Sequence, residues 1–353
     1  MKKYALINFM FLQLFAVQTT DMNSKGNDLS PGMRTFYDDT LIDIVGPKLV
    51  HDQDAVKKPI PANNGKKIQF RGFNPLPKAL TALTEGVTPA GNSLDMFTIE
   101  ATVAQYGDYI TTSDMLNLTH VDNVVVESLR LLGDQAGVTL DTISRNVLVA
   151  GTNVMYAPKI NAGTGAETEV TSRANLDLTA QLTVDLVDQV VAELEAANVP
   201  KFDDGFYHAI IHPYTKYVIM KDEMWREPHK YVDTDAIYNG EIGEIGGVRF
   251  KVSSEAKIWR DSTCPAQSGA TPAYLAVFAC LFYGKGAYGT TEITGGGLKT
   301  IVKQLGSAGS ADPLDQRSST GWKATKVTEI LHPDYLIRVE CCSARKSKTA
   351  EAN

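Results

Sequence analysis

The sequence predicts an α+β protein of two lobes with long extensions, and three observations carry that prediction: a pair of alternating runs flanking a turn-rich interval, two amphipathic helical stretches, and a late block of β-forming residues. At 353 residues the chain exceeds the usual size of one compact domain. A hydrophobic fraction of 43% against 21% charged residues is enough to fill a core, so disorder is not the default.

The elements follow in chain order. Residues 21–29 are polar and carry glycine, and read as an arm. Ser30 then acts as an N-cap with Pro31 at the first helical position of a short helix through Phe36, Leu41, Ile42 and Val45, which Gly46-Pro47 stops. Its apolar face requires a partner surface. Lys66 to Phe73 alternates Ile68 and Phe70 with Lys67, Gln69 and Arg71, and Met96 to Ile110 alternates similarly, so both read as strands. Between them Pro75, Pro77, Gly86, Pro89 and Gly91 exclude regular structure. The result is an extended hairpin with a long tip. At about 3.3 Å per residue it projects tens of ångströms. A two-stranded ribbon is marginal alone, so it must lie on its own domain or on a neighbouring molecule.

Val121 to Ala150 gives the strongest helical signal. Val125, Leu129, Leu132, Ala136, Leu140, Ile143 and Val147 fall on one stripe. Thr119 and Asp122 match a capping box, Gly151 matches a terminator, and Gly133 and Gly137 are candidate bend points. Such a helix runs about 40 Å. After a Gly/Thr-rich loop at 161–165, a second helix is expected from Leu178 to Ala197, striped by Leu182, Leu186, Val190 and Leu194. The chain to Ala311 alternates β-like runs (Tyr207 to Ile211, Gly247 to Val252, Tyr274 to Tyr283) with a short helix from Tyr214 to Asp222, as a compact α+β lobe would. Trp322 to Ser343 is strongly β-forming, interrupted at His332-Pro333. There are no internal repeats.

Charge and motifs narrow the function. A net charge of -7 and a pI near 5.5 provide no general excess of Lys and Arg for gripping nucleic acid, which argues against a sequence reader of DNA. The same acidity suits a wall that encloses nucleic acid and lets it slide. Of the four cysteines, Cys264, Cys280, Cys341 and Cys342, none forms a C-x-x-C pair, and vicinal Cys341 and Cys342 point to opposite faces of a strand. They read as reduced thiols of a protein made in cytoplasm. Lys2, Lys3 and the apolar run Tyr4 to Ala16 imitate a secretory signal, but Asn8 and Gln13 interrupt the run and Leu14 stands where a small residue is preferred. A secreted or surface-layer structural protein is therefore the alternative reading. No later stretch approaches the roughly 18 to 20 apolar residues of a membrane span.

Gly284-Lys285-Gly286-Ala287-Tyr288-Gly289 matches G-x-G-x-x-G, but a dinucleotide site needs a helix there, and Thr290-Thr291-Glu292-Ile293-Thr294 is not one. His208 and His212 share a metal-ligand spacing, yet their context reads as a strand entering a helix start, without an acidic or Cys partner. Asp203-Asp204 reads as solvated turn residues. Asn117-Leu118-Thr119 is a glycosylation sequon only if the protein is exported. No Walker loop, nucleophile elbow or H-E-x-x-H occurs. The expectation is a chain with no catalytic, cofactor or metal site.

An arm, a protruding hairpin, a long spine helix, a central lobe and a last strand returning to the spine form an unusual order of parts. Met33-Arg34-Thr35-Phe36-Tyr37 with Leu41-Ile42, then Lys67-Ile68-Gln69-Phe70-Arg71, Leu76-Pro77-Lys78-Ala79-Leu80, Leu83-Thr84-Glu85-Gly86 and Val103-Ala104-Gln105-Tyr106-Gly107 are coat-like segments. Even Leu12-Gln13-Leu14-Phe15-Ala16 is similar to the start of many coat proteins. With these residues the chain resembles the major capsid proteins of tailed phages with the Hong Kong 97 fold, and within them the phage N-four coat protein family. The resemblance is densest from residue 30 to 155.

The resemblance implies an N-terminal arm at 1–52, an extended hairpin or E-loop at 53–115, a peripheral or P-domain at 116–175 and 315–345 containing the spine helix, an axial or A-domain at 176–314, and a C-terminal tail at 346–353. It implies self-assembly of hexamers and pentamers into an icosahedral head in the host bacterial cytoplasm, with no membrane. A portal protein, a separate scaffolding protein and packaged dsDNA held without sequence-specific binding are the implied partners. Closed shells need heterologous contacts that tolerate varied angles, which a ribbon laid across a neighbour supplies. Arg71, Lys78 and Glu85 are the candidate intersubunit ion-pair residues; the alternative is that each is merely solvated.

Overall fold

The protein is described from a computed structural model, over residues 49–59, 66–73, 76–83, 85–88, 91–119, 124–161, 163–222, 224–225, 243–267, 273–292, 298–307 and 312–353. The expected helix after Ser30, the signal-like residues 1–16 and most of the capping box at Thr119 and Asp122 lie outside the described residues.

In chain order the elements begin with β1 (Val56–Lys58), β2 (Lys67–Phe73), β3 (Met96–Thr102), β4 (Ala104–Ser113), α1 (Asp114–Thr119) and α2 (Val124–Val149). There follow β5 (Val154–Tyr156), β6 (Lys159–Ile160), β7 (Glu167–Thr168), α3 (Val184–Ala196), β8 (Tyr207–Ile211) and α4 (Pro213–Ile219). The remainder is β9 (Glu244–Ile245), β10 (Val248–Val252), β11 (Ile258–Trp259), β12 (Val277–Tyr283), β13 (Tyr288–Thr291), β14 (Leu298–Lys303), β15 (Arg317–Lys326), β16 (Thr328–Ile330) and β17 (Leu336–Cys341).

The chain divides into two compact units. The described part of one comprises Gly107–Gly133 and Leu298–Lys323, and holds a sheet of order β14-β15-β4. Here Gly107 and Gly321 admit close backbone approach: a Cβ on Gly107 would stand 2.5 Å from the Trp322 carbonyl oxygen, and one on Gly321 2.8 Å from that of Asp108.

The other unit is organised on a mixed sheet of order β5-β17-β12-β8-β10-β9, with β11 also paired to β12. Strand β12 (VFACLFY) and strand β8 (YHAII) are buried at every position, which is why they read as continuous apolar runs rather than alternating ones. One face carries Ala209, Ile211, Phe278, Cys280 and Phe282 against Leu186, Val187, Val190 and Leu194 of α3. The other carries Ile210, Ala279, Leu281 and Tyr283 against Leu148 and Val149 of α2. All four cysteines are buried and free.

Helix α3 starts later than its apolar spacing suggests. The Asp177 carboxylate accepts from the backbone N–H of Thr179 (2.8 Å) and Ala180 (3.2 Å), closing a turn, and Thr183 caps the helix by accepting from Leu186 N–H at 3.3 Å. The expected strand from Met96 to Ile110 is two strands broken at Val103. Strand β3 pairs with β2, whereas β4 belongs with β15, so one alternating run serves two partners.

Helix α2 is continuous through Gly133 and Gly137. Its predicted stripe is buried at Leu129, Leu132, Ala136 and Leu140. Beyond Leu140 the expectation fails: Ile143 and Val147 are only half-buried, and the buried positions are Asp141, Ser144, Arg145, Leu148 and Val149. A polar helix face is buried there because partners distant in sequence satisfy it.

Candidate assembly interface

The hairpin pairs β2 and β3 in antiparallel register from Lys67↔Thr102 to Phe73↔Met96. Alternation places Ile68 and Phe70 on the inner face with Ala101, packed by Ile99, Val103, Val327 and Leu331. The outer face carries a polar ladder: Glu100 accepts from Lys67 Nζ at 2.7 Å and from Gln69 Nε2 at 2.9 Å, and Arg71 Nη2 donates to Gln69 Oε1 at 2.7 Å. Arg71 therefore stands exposed on β2, while Lys78 and Glu85 are exposed in the tip, where the described residues form no regular structure. The described tip also exposes large apolar side chains, among them Leu80 (87% exposed), Leu83 (78%) and Leu94 (72%).

The glycine-rich run explains how the ribbon sits on the body. It leads from β12 into a strand, β13, where a dinucleotide site needs a helix. Gly284 passes close to β8's approach, since a Cβ there would meet Pro200 O at 2.7 Å, and Gly286 adopts a φ of +81°. At Gly289 a Cβ would lie 2.5 Å from Phe70 Cε1, so the missing side chain makes room for the hairpin's inner ring.

Just before β1 lies a polar segment that the sequence reading did not single out. His51 donates its backbone N–H to Asp141 Oδ1 (2.8 Å), and its Nδ1 meets Asp141 Oδ2 (2.7 Å). Its Nε2 has no partner among the described residues. Asp52 accepts from Ser144 Oγ at 2.5 Å and from the Lys326 ammonium, which also donates to Leu140 O at 2.9 Å. Burial pushes the Lys326 ammonium down, opposed by Asp52 and Asp141. Tyr288 donates its hydroxyl to His51 O at 2.7 Å.

Asp54 completes the set by reaching three adjacent strands. Its Oδ2 meets His208 Nδ1 on β8 (2.8 Å), Lys251 Nζ on β10 (2.7 Å) and Tyr283 OH on β12 (2.8 Å). Burial pushes this carboxyl up, but the hydrogen bonds from His208, Lys251 and Tyr283 together outweigh it and hold it at about 2. His208 uses its second nitrogen as well, Nε2 lying 2.9 Å from Asp204 Oδ2. Asp204 also pairs with Arg249 at 2.6 Å, so it is a structural anion rather than a solvated turn residue; Asp203, 91% exposed and paired with Lys285, fits that description better.

The two histidines four apart thus have separate work. His212 caps α4, its Nδ1 accepting from Tyr214 N–H at 3.1 Å, and burial drives its pKa down to about 4 despite a backbone hydrogen bond involving Ser254. The only advance signal of the buried polar root was the spacing of Asp141, Ser144 and Arg145, three and four apart on α2.

No family model and no curated protein matches the sequence. Solved structures do match the fold. The capsid of cyanophage P-SCSP1u superposes with a TM-score of 0.59 at 15% identity, covering 83% of this chain and 87% of that one. The capsid of cyanophage Pam1 gives 0.59 at 12% identity over 94% and 99%, and that of Ralstonia phage GP4 gives 0.57 at 14% over 86% and 87%. Across most of its length, the chain has the fold of phage capsid proteins, as the order of its sequence elements predicts.

Proposed function

We propose that this chain is the major capsid protein of a tailed bacteriophage or prophage, a structural subunit that self-assembles into an icosahedral head shell enclosing dsDNA. The observation that carries the reading is the ribbon: anchored at its root, it offers Phe73, Leu76, Leu80, Leu83, Val87 and Leu94 to solvent, most of them in a tip whose described residues form no regular structure. An exposed apolar patch of this kind marks a surface that another molecule covers. Each such side chain contributes about 1.5 to 3 kcal/mol when fully buried. A sister copy is the occupant that the shared capsid fold supports.

On this reading the arm (1–52), hairpin (53–115), peripheral domain (116–175 and 315–345), axial domain (176–314) and tail (346–353) are the capsid parts, and no catalysis is required of them. Arg71, Lys78 and Glu85 make ion pairs with neighbours at the rim of the buried ribbon. Hexamers and pentamers form in the bacterial cytoplasm with a separate scaffold and a portal, and the acidic chain contacts DNA without reading it. The secreted or surface-layer alternative rests on residues 1–16, which lie outside the described residues.

Negative-stain microscopy of the expressed chain, with scaffold where needed, tests the proposal. Shells, tubes or capsomers are expected. A monomeric globule under every condition overturns it.

A further inference from the structure

His208 is hydrogen-bonded through both ring nitrogens to carboxylates, Nδ1 to Asp54 (2.8 Å) and Nε2 to Asp204 (2.9 Å). A neutral imidazole has one N–H, so it satisfies one of these acceptors and turns a lone pair toward the other; only the imidazolium donates to both. Two other described histidines contrast with it. His212 must accept at Nδ1, and His51 engages one ring nitrogen only.

The two carboxylates lie on different parts of the fold. Asp204 precedes β8, whereas Asp54 lies two residues before β1, which runs parallel to β13 and leads into the hairpin. We propose that His208 is a proton-operated latch that ties the root of the hairpin to the central sheet, closed when the ring carries both protons and loosened when it loses one.

The groups facing His208 come from four segments. Asp54 and Asp204 favour the imidazolium; Lys251 on β10 opposes it, and Arg249 on the same strand is absorbed by Asp204 at 2.6 Å and Glu244 at 2.5 Å. Tyr283 on β12 donates to Asp54 at 2.8 Å and remains neutral, burial raising its pKa well above the ordinary value. Phe202 stacks on the ring at 4.0 Å, an aromatic face that favours a cation. Burial works against the charged ring, but the carboxylates outweigh it and raise the His208 pKa above its ordinary 6.5.

The sign follows. A raised folded pKa gives stability that is full below the unfolded value and is lost as pH rises through the folded one. Asp54, held at about 2, contributes above its ordinary 3.8 and loses that contribution only as pH falls toward about 2. The latch is therefore closed below the ordinary histidine value of 6.5 and opens as pH rises through the raised one.

Amide hydrogen exchange of the full chain, corrected for intrinsic rates, tests this between about pH 6 and about pH 9. Protection of peptides covering 49–58 is expected to fall on the alkaline side, about tenfold for each unit by which folded exceeds unfolded pKa, while β12 stays protected. Asp204→Asn should move that fall to lower pH, and His208→Gln should abolish it. Unchanging protection in the parent protein overturns the proposal, as does a fall that persists in His208→Gln. If His208→Gln does not fold, an unshifted midpoint in Asp204→Asn overturns it. Shell formation plays no part in the readout, so this test and that of the capsid reading fail independently.

Discussion

Asp52 and Lys326 form an ion pair inside the protein, their side chains almost fully shielded, with Ser144 donating to Asp52 and the Leu140 carbonyl accepting from Lys326. The pair joins the segment ahead of the hairpin to the end of β15, and α2 supplies both auxiliary partners. Buried charge is tolerable only with this degree of satisfaction.

Removing one partner should therefore cost far more than removing both. Asp52→Asn or Lys326→Met is expected to lose about 3 to 5 kcal/mol in urea unfolding, since each leaves a buried charge uncompensated. The double change Asp52→Leu with Lys326→Met should recover most of that loss. Single variants within about 0.5 kcal/mol of the parent would mean that the pair is not buried.

Gly289 and Phe70 make a second link between body and ribbon. Gly289→Ala places a methyl against the ring, so a loss of about 1 to 3 kcal/mol by overpacking is expected. Shrinking the ring with Phe70→Leu should offset part of that loss in a double-mutant cycle. Proteolysis within 66–102 reports the same event, with faster cleavage in Gly289→Ala than in the double variant.

His212 should confer acid sensitivity. Its folded pKa of about 4 lies below the unfolded 6.5, so the unfolded chain binds more protons between those values and stability falls as pH falls through that window. The limiting slope is roughly 1.4 kcal/mol per pH unit. His212→Asn retains a capping side chain and cannot titrate; its unfolding free energy should vary less over that window than the parent's. An equal slope would assign the acid sensitivity to other groups.

The tip should matter to assembly and not to folding. Leu80→Asp with Leu83→Asp changes two exposed residues, so subunit stability should stay within about 0.5 kcal/mol of the parent while shells and capsomers are lost. Lys78→Glu and Glu85→Lys should each weaken assembly more at low than at high salt, read by light scattering. Salt-independent assembly in both variants would leave these residues as solvated charges.

Much of this architecture is legible in the sequence because it is written in local periodicity. Lys67 to Phe73 alternates with period two and is a strand; Leu182, Leu186, Val190 and Leu194 repeat at helical spacing and form the buried stripe of α3. Glycine and proline mark the tip, and Gly284 and Gly286 mark the turn into β13, through steric rules that act within a few residues. What the chain alone could not reveal is which polar groups go inside. Asp141 lies 90 residues from His51 and Lys326 lies 274 from Asp52, and without those partners each would read as a solvated charge. Burial of a charge depends on partners supplied by the rest of the fold, so the tertiary structure alone decided that His51, Asp52 and Asp54 root the ribbon, and that one of two histidines four residues apart bridges two carboxylates while the other stays neutral.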